Sequence, residues 1–502
     1  MLKILDAETI REAERETVEK ESIRSWDLME RAAQHCHEWI RCHHPRMQKI
    51  TFFCGLGNNG GDGLAMARMF CESGISTRVI RVKYSDEMTL DCRANLEKIK
   101  ALPLSITAIH EGDDFSKLRI ESGITVDCIW GLGLNRAVVG YWGDLIDYIN
   151  ANAEKIIAVD MPSGLFSDRP TPEGAKVICA DAILTFQLPK LALLLPDNAK
   201  YAKLWQLIDI GLDRAYLERA KAKAHYITRS AISKAYRPRE KFSHKGTYGH
   251  SLLIGGSYGK MGAISLSTMA CMRMGSGLTS AHIPEVGYDI VQTRSPEAMC
   301  TTGKGYKYLV GLGHIGKPSA VGIGPGLGTH REAGDVLLAL FQRIDCPVVV
   351  DADAINALAA HPDLLAHLPE NAILTPHYAE FQRLVGTWRD DFEKLQMLRA
   401  FAEKHSCMIA YKGAHTVVVH PGGDLFFNST GNPGMATGGS GDVLTGMLCG
   451  LLAQGYSPLP AALMGVYLHG LAADLALQSQ SQESLIATDL IAYIGDALKS
   501  IA

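Results

Sequence analysis

Gly438-Gly439-Ser440-Gly441-Asp442-Val443-Leu444-Thr445-Gly446 is the stretch from which the rest of the chain can be read. Glycines and a serine run directly into an apolar segment, so the spacing predicts a loop that opens a long helix. Consecutive N–H groups at a helix start attract an anion. An aspartate placed there can take or hold a proton during phosphoryl transfer. The plainer alternative is a glycine-rich turn in which Asp442 is a first-turn acid favoured by the helix dipole. Two more segments, Gly324-Pro325-Gly326-Leu327-Gly328 and Lys412-Gly413-Ala414-His415-Thr416, each follow a short apolar run. Together the three imply a nucleotide site.

Working outward, short apolar runs alternate with helix-like spacing. In the second half these runs are Ser251–Ile254, Ala320–Ile323, Pro347–Val350 and Met408–Tyr411, and each ends in a loop carrying glycine, aspartate or lysine. Thr416–Val419 and Asp424–Phe427 read as a hairpin around Pro421-Gly422-Gly423. The first half repeats the alternation, with strands expected at Ile50–Cys54, Thr77–Val82, Thr125–Trp130 and Ile156–Val159 and helices at Leu64–Cys71 and Asp86–Lys100. Such alternation predicts an α/β protein with parallel sheets, whose chemistry belongs at the carboxyl ends of the strands. At 502 residues the chain is too long for one ordinary domain. A boundary is expected near Lys221–Ala224, giving domains 1–221 and 222–502. The region around it, 214–245, carries ten lysines and arginines against Glu218 and Glu240, and reads as a solvated linker.

Composition narrows the function classes. The hydrophobic fraction is 47% and the charged fraction 21%, enough for large cores. A net charge of −4 gives no global basic field, so no nucleic-acid partner is expected. No apolar run approaches the roughly 18 residues of a membrane span, so no membrane partner is expected. Twelve cysteines lie singly, without Cys-x-x-Cys, and the N-terminus lacks the apolar core of a secretory signal. Both point to reduced thiols in the cytosol, a cytoplasmic protein.

In the first half, Asn58-Asn59-Gly60-Gly61-Asp62-Gly63 is expected between a strand and a helix. It suits either an anion held by backbone N–H groups or a tight turn with Asp62 as helix cap. Asp127 lies within one strand, and Asp160 and Ser163 follow another; such acids bind a cation, act as a base or cap a helix. His35-Cys36-His37 and Cys42-His43-His44 suggest a metal, but helical spacing puts His35 and His37 on different faces, so packing is expected. The methionines of Met261–Met274 read as core filler. His377, after Thr375-Pro376 and three residues before Glu380, suits a core histidine or a ligand contact equally.

These motifs taken in order carry a resemblance. They are Asn58-Asn59-Gly60-Gly61-Asp62, Gly131-Leu132-Gly133-Leu134, Val159-Asp160-Met161-Pro162-Ser163-Gly164, Thr185-Phe186 with Pro189-Lys190, His244-Lys245-Gly246, Gly255-Gly256-Ser257 with Met261-Gly262-Ala263, Pro296-Glu297, Gly324–Gly328, Asp351-Ala352-Asp353, Thr375-Pro376-His377, Lys412-Gly413 and Gly438–Asp442. Over nearly its whole length the chain resembles the bifunctional NAD(P)H-hydrate repair enzymes. The first half is similar to an NAD(P)HX epimerase domain with a Rossmann-like three-layer sandwich. The C-terminal half is similar to an ADP-dependent NAD(P)HX dehydratase with a ribokinase-like fold. The turn after Lys190 lacks the glycine usual there, and Tyr258-Gly259-Lys260 extends the usual glycine-serine turn.

The resemblance implies the chemistry and the residues. The first half would interconvert the R and S hydrates of NAD(P)H. The second would use ADP, with Mg2+, to phosphorylate the S hydrate, whose phosphate then leaves to restore NAD(P)H, with AMP as the other product. Asn58, Asn59, Gly60, Gly61 and Asp62 and the segment Gly131, Leu132, Gly133, Leu134, Asn135, Arg136 and Ala137 would hold the hydrate in the first site. Asn59, Asp127 and Ser163 would bind K+ through oxygen donors, as a hard cation requires. Asp160 would contact the substrate as an acid/base group, with Lys190 as its charge partner. In the second site Ala263, Gly326, His377 and Asp442 would contact the hydrate, and Asp442 would activate its hydroxyl. Lys412, Gly413, Ala414, His415, Thr416 and Gly441 would contact the nucleotide. Several identical copies are expected to assemble. Two rivals stay open: a ribokinase-like small-molecule kinase fused to a second module, and a first half that only binds. A kinase would leave a stable phosphorylated product, whereas a dehydratase leaves inorganic phosphate.

Overall fold

The computed structural model describes residues Met1–Ala502, the side chain of Ser116 excepted. Its contacts divide the chain into two units, one of Lys3–Ala222 with residues 390–392, the other of Lys223–Arg389 and Glu393–Ala502 with residues 1–2.

In the first unit seven strands form one parallel sheet: β1 (Lys49–Cys54), β2 (Ser76–Lys83), β3 (Ser105–His110), β4 (Ile124–Cys128), β5 (Lys155–Val159), β6 (Ala182–Phe186) and β7 (Trp205–Ile208). Their order is β3-β2-β1-β4-β5-β6-β7. The winding reverses between β1 and β4, whose register pairs Phe52 with Val126 and Cys54 with Cys128. At such a switch point the loops leaving the two strands diverge and open a crevice. Strands β4 and β6 are buried along their whole length, as expected where helices cover both faces. The longer helices of this unit are α1 (Ala7–Glu21), α2 (Ser25–His43), α3 (Asn58–Glu72), α4 (Leu90–Ile99) and α5 (Gly140–Asn152).

Helix α3 corrects the sequence expectation. It starts at Asn58, so Asn58–Gly63 is helix and not a loop ahead of one, and Asp62 is a buried helical residue and not a cap. Glycine is a poor helix former, but close packing requires it here. A Cβ on Gly60 would stand 2.1 Å from the Gly55 carbonyl oxygen, and one on Gly63 would stand 2.8 Å from Cys54 Sγ. The polar helix expected at Asp86–Lys100 is shorter, Leu90–Ile99. Helix α2 buries Leu28, Ala32, Cys36 and Ile40 at i,i+4 spacing. The histidines around them go elsewhere: His35 Nδ1 lies 2.6 Å from the Asp209 carbonyl, His37 packs edge-on against Phe70, and His43 stacks on Trp39.

In the second unit ten strands from Ala224 onward share a sheet. They are β8 (Ala224–Tyr226), β9 (His250–Ile254), β10 (Leu278–Ile283), β11 (Met299–Thr302), β12 (Ala320–Ile323), β13 (Val348–Val350), β14 (Ile373–Leu374), β15 (Met408–Tyr411), β16 (Val417–Val419) and β17 (Leu425–Phe427). Their order is β8-β17-β16-β15-β14-β13-β12-β9-β10-β11. All pairs are parallel except the hairpin β15-β16-β17. The winding reverses between β9 and β12, which places Gly255–Lys260 beside Gly324–Gly328. Helices α6 (Met261–Arg273), α7 (Ala352–Ala360), α8 (Tyr378–Val385), α9 (Ser440–Ala453), α10 (Pro458–Ala476) and α11 (Ala487–Ile501) cover the sheet. Helices α6 and α9 pack at backbone distance, since a Cβ on Gly446 would lie 2.0 Å from the Ser267 carbonyl oxygen.

Two further expectations need correction. Helix α10 has the length and composition of a membrane span, although no such run was expected; 72% of its most apolar window is buried inside the protein, where it joins the core with α9 and α11. The basic stretch 214–245 is not merely a solvated linker. It contains the helices Arg214–Arg219 and Arg229–Ala235 and strand β8, which pairs in parallel with β17. Its arginines are held: Arg219 by Glu16, Arg237 by the Gly455 carbonyl and the Tyr456 ring.

Candidate active sites

The switch point of the first unit opens into a cavity of about 790 Å3. One wall is the α1 face carrying Arg11, Glu14, Arg15 and Val18; another is the start of α3 with Asn58, Asn59 and Asp62. Tyr84, Trp130 and Gly131–Leu134 line the side next to β4, and Asp160 lies at the base. The Tyr84 and Trp130 rings stand 5.1 Å apart, and the Leu56 N–H donates to the Tyr84 hydroxyl.

Asp160 leaves the end of β5 in a left-handed conformation, φ +62°. Few residues other than glycine adopt it, aspartate being among the more tolerant, and such strain collects where function fixes geometry. Lys190 Nζ, 1% exposed, donates to Asp160 Oδ1 and to the Phe186 carbonyl, both at 2.7 Å. The Phe186 N–H adds a second bond to the same carboxylate oxygen at 3.3 Å. Asp160 is thus a fixed carboxylate with a buried cation behind it. Two other acids in this cavity are pushed upward. Burial, reinforced by Asp160 and Glu14, raises the Asp62 carboxyl well above the usual range. Burial and then Asp160 raise Glu14 to about 7, against the pull of Lys190 and Arg11. Burial thus favours the protonated form of Asp62, which can donate a hydrogen bond.

Asn59, Asp127 and Ser163 converge on the Trp130–Gly131 turn. Asp127 is buried in β4 and accepts from Ser163 N–H at 2.7 Å, Ser163 Oγ at 2.6 Å and Ile129 N–H at 3.2 Å. Burial raises its carboxyl to about 6, opposed by those bonds. Ser163 Oγ accepts from Trp130 N–H at 2.8 Å. A Cβ on Gly131 would stand 3.1 Å from Asn59 Cγ. Both amide atoms of Asn59 are buried without a hydrogen-bond partner. An orphaned amide oxygen beside a buried carboxylate and a serine suits a hard monovalent cation.

Several expected residues do not reach the cavity. Gly60 and Gly61 turn inward, the latter against Met29. Asn135 and Arg136 are exposed, and the Asn135 carbonyl accepts from Arg169. Glu14 was missed by sequence reasoning, because α1 carries acids at six positions and reads as a solvated face.

In the second unit the helix start quoted above meets the ends of β13 and β15. Gly439 is the N-cap of α9 with φ +92°, and Asp442 lies in its first turn. Lys412, just past β15, donates to Asp351 Oδ1 at 2.9 Å and lies 3.7 Å from Glu380. Thr445 Oγ1 donates to Asp351 Oδ2 at 2.6 Å. A Cβ on Gly441 would stand 3.2 Å from Lys412 Nζ, so the glycine lets the helix start approach the lysine. Burial alone would raise Asp351, but Lys412 and Thr445 outweigh it and hold it below the ordinary range. Asp442 has no such compensation: burial and then the Asp351 charge raise it to about 7, Lys412 opposing. His469, buried beneath the helix start with Nε2 2.9 Å from the Ser440 carbonyl, is lowered to about 4 by burial and stays neutral.

The remaining expected residues lie at neighbouring helix starts and loops. Gly326, φ +64°, packs under Lys260 and Ala263: a Cβ there would lie 2.5 Å from the Lys260 carbonyl oxygen and 3.2 Å from Ala263 Cβ. Lys260 pairs with Asp353 at 3.1 Å, and Asp353 accepts from Gly328 N–H at 2.8 Å. His377 caps α8: its Nδ1 accepts from Ala379 N–H, while Glu380 accepts from His377 N–H. Its ring is half exposed, so it is a cap that can also reach a ligand and not a core histidine. In the loop after β15, Thr416 Oγ1 donates to the Gly413 carbonyl, and His415 Nδ1 lies 2.9 Å from the Asn428 carbonyl. Asp351, Thr445 and Glu380 had no assigned role at the sequence level. The histidine N-cap followed three residues later by glutamate was a legible capping signal for the last of them.

Comparison with known proteins follows the same division. Residues 251–495 match a family model described as NAD(P)H-hydrate dehydratase, and residues 25–192 one described as YjeF-related protein N-terminus. The chain is 34% identical to the bifunctional NAD(P)H-hydrate repair enzyme Nnr of Moorella thermoacetica, over 94% of this chain and 92% of that one. It is 32% identical to the enzyme of the same name from Escherichia coli, over 97% and 92% respectively. Among solved structures, a ribokinase-like superfamily protein from Enterococcus faecalis is 28% identical, covers 56% of this chain and 98% of that one, and superposes with a TM-score of 0.50.

Proposed function

The chain belongs to the family of bifunctional NAD(P)H-hydrate repair enzymes, and on that premise we propose how its residues divide the two reactions. Residues 1–221 carry the epimerase and residues 222–502 the ADP-dependent dehydratase. Free thiols at all twelve cysteines support a cytosolic setting.

In the first site the damaged ring enters the cavity between α1 and the β4 loop, with Asn58, Asp62 and Gly131–Leu134 around it. Asp160, held by Lys190, contacts the substrate beside the hydrated carbon as an acid/base group. Asp62, whose protonated form burial favours, donates a hydrogen bond to the substrate. Asn59, Asp127 and Ser163 would hold K+, whose charge offsets the buried carboxylate and orders the turn that touches the ring.

In the second site Ala263, Gly326 and His377 position the S hydrate, while Lys412–Thr416 and Gly441 receive ADP. Mg2+ would travel on the nucleotide's phosphates, as it does where a protein offers no all-protein cage. Asp442 takes the proton of the hydrate's hydroxyl as that oxygen attacks the β-phosphorus, and the bond to AMP breaks. The phosphate ester then ionises where hydroxide would not, and loss of the neighbouring ring proton restores the double bond.

Asp442 carries this reading: a carboxyl raised to about 7 at a glycine-rich helix start, beside a lysine that is already committed to another aspartate. The test uses an R and S hydrate mixture with K+, Mg2+ and ADP, followed by the returning dihydronicotinamide absorbance. Asp442→Asn should lower dehydration about 10²–10⁴-fold and leave epimerisation intact; Asp160→Asn should do the reverse. Loss of both activities in either folded variant would overturn the division.

A further inference from the structure

The first cavity holds a carboxyl that no part of the account above employs. Glu14, on α1, and Asp160, at the end of β5, both line this cavity, and the Asp160 charge acts on Glu14. The two acids arrive from unconnected elements and face the same space. We propose that Glu14 is the second proton-transfer group of the epimerase, the acid that protonates the departing hydroxyl while Asp160 receives the proton of the entering water. The proposal rests on the epimerase reading of this site.

Inversion at the hydrated carbon needs two such groups. That carbon bonds to both the hydroxyl oxygen and the ring nitrogen. Glu14 gives its proton to the oxygen, the C–O bond breaks with its electron pair leaving on water, and the nitrogen lone pair closes a C=N+ bond. Water adds to the other face, forming the new C–O bond, and its surplus proton passes to Asp160. One proton is given and one is taken, and no oxidant or reductant is consumed. A single carboxylate on one face could not serve both sides of the ring.

The charge states suit this assignment. The groups facing Glu14 are Asp160, Asp62, Lys190 and, on its own helix, Arg11. Burial and Asp160 together hold its carboxyl near 7, so a large fraction carries a proton at neutral pH. Asp160 is the member of the couple bonded to the buried Lys190.

Glu14→Gln keeps the shape and removes the proton. Epimerisation of the pure R hydrate is expected to fall at least 100-fold in kcat with KM changed less than about threefold. The decline in rate above about pH 7 should vanish from the residual activity, and Glu14→Asp should restore an intermediate rate. ADP-dependent dehydration of the pure S hydrate, measured on the same sample, should keep its wild-type rate and so report folding. Epimerisation by Glu14→Gln within threefold of wild type, or with the high-pH decline retained, would overturn the proposal. Absence of epimerisation in the wild-type chain would instead overturn the reading on which it rests.

Discussion

Lys190 stands 2.7 Å from Asp160 in one domain, and Lys412 stands 2.9 Å from Asp351 in the other. Both lysines meet an aspartate at the end of a parallel strand. Both aspartates are followed or accompanied by left-handed backbone, at Asp160 itself and at Ala352. The outcomes differ. In the first site the paired aspartate opens onto the cavity, its side chain 12% exposed; in the second it is 1% exposed and also bonded by Thr445. On the proposed roles, the ion pair would prepare a reactive carboxylate in the first domain and brace the site in the second, where the unpaired Asp442 would be the reactive acid. Each site thus holds an acid paired with a lysine and an acid raised to about 7, Glu14 or Asp442, and the paired members Asp160 and Asp351 differ in exposure.

The sharpest way to break this comparison is to remove each lysine. Lys412→Met leaves the Asp351 charge buried without its cation, and loss of one partner from such a pair costs about 3–5 kcal/mol. Lys190→Met should cost less, since Asp160 can take up solvent from the cavity. Hydrogen exchange on peptides from each domain reads the two losses separately. Equal losses would mean that the two pairs do the same job. A smaller effect sharpens the role of the unpaired acid. Asp442 has a folded pKa of about 7, above its unfolded value, so its stabilising contribution is complete below the unfolded pKa. It is lost as pH rises through 7, where a charged carboxylate is held in a poorly solvated place. Asp442→Asn should then raise the thermal midpoint above pH 7, by roughly 2–4 °C per kcal/mol for a domain of this size. At pH 4 the variant and the wild type should melt together.

How much of this was legible in the sequence depends on whether the signal is local. Strand ends bearing Asp127, Asp160 and Lys412, and the helix start at Asp442, are marked by apolar runs broken by glycine or proline, which one chain segment displays by itself. The α3 start was misplaced because Gly60, Gly61 and Gly63 oppose helix by propensity, while the need for them comes from Gly55, Met29 and Cys54. Glu14 was invisible because its neighbours along α1 are solvated acids, and only the fold shows which of them faces Asp160. Asp351 and Glu380 gain their meaning from Lys412, 61 and 32 positions away in sequence. Helix α10 shows the same limit, since apolar composition does not distinguish the core of a large domain from a lipid environment.

The most direct test of the paired and unpaired division is a pair of pH profiles on one wild-type preparation, between about pH 5.5 and 8.5. Each would follow kcat/KM, which reports the free enzyme's groups. Dehydration requires Asp442 without its proton, so its rate should rise as pH climbs through about 7. Epimerisation requires Glu14 with its proton, so its rate should fall over the same interval. Opposite limbs crossing near neutrality are the predicted result. Two limbs running in the same direction, or a dehydration rate that does not bend in this range, would contradict the account.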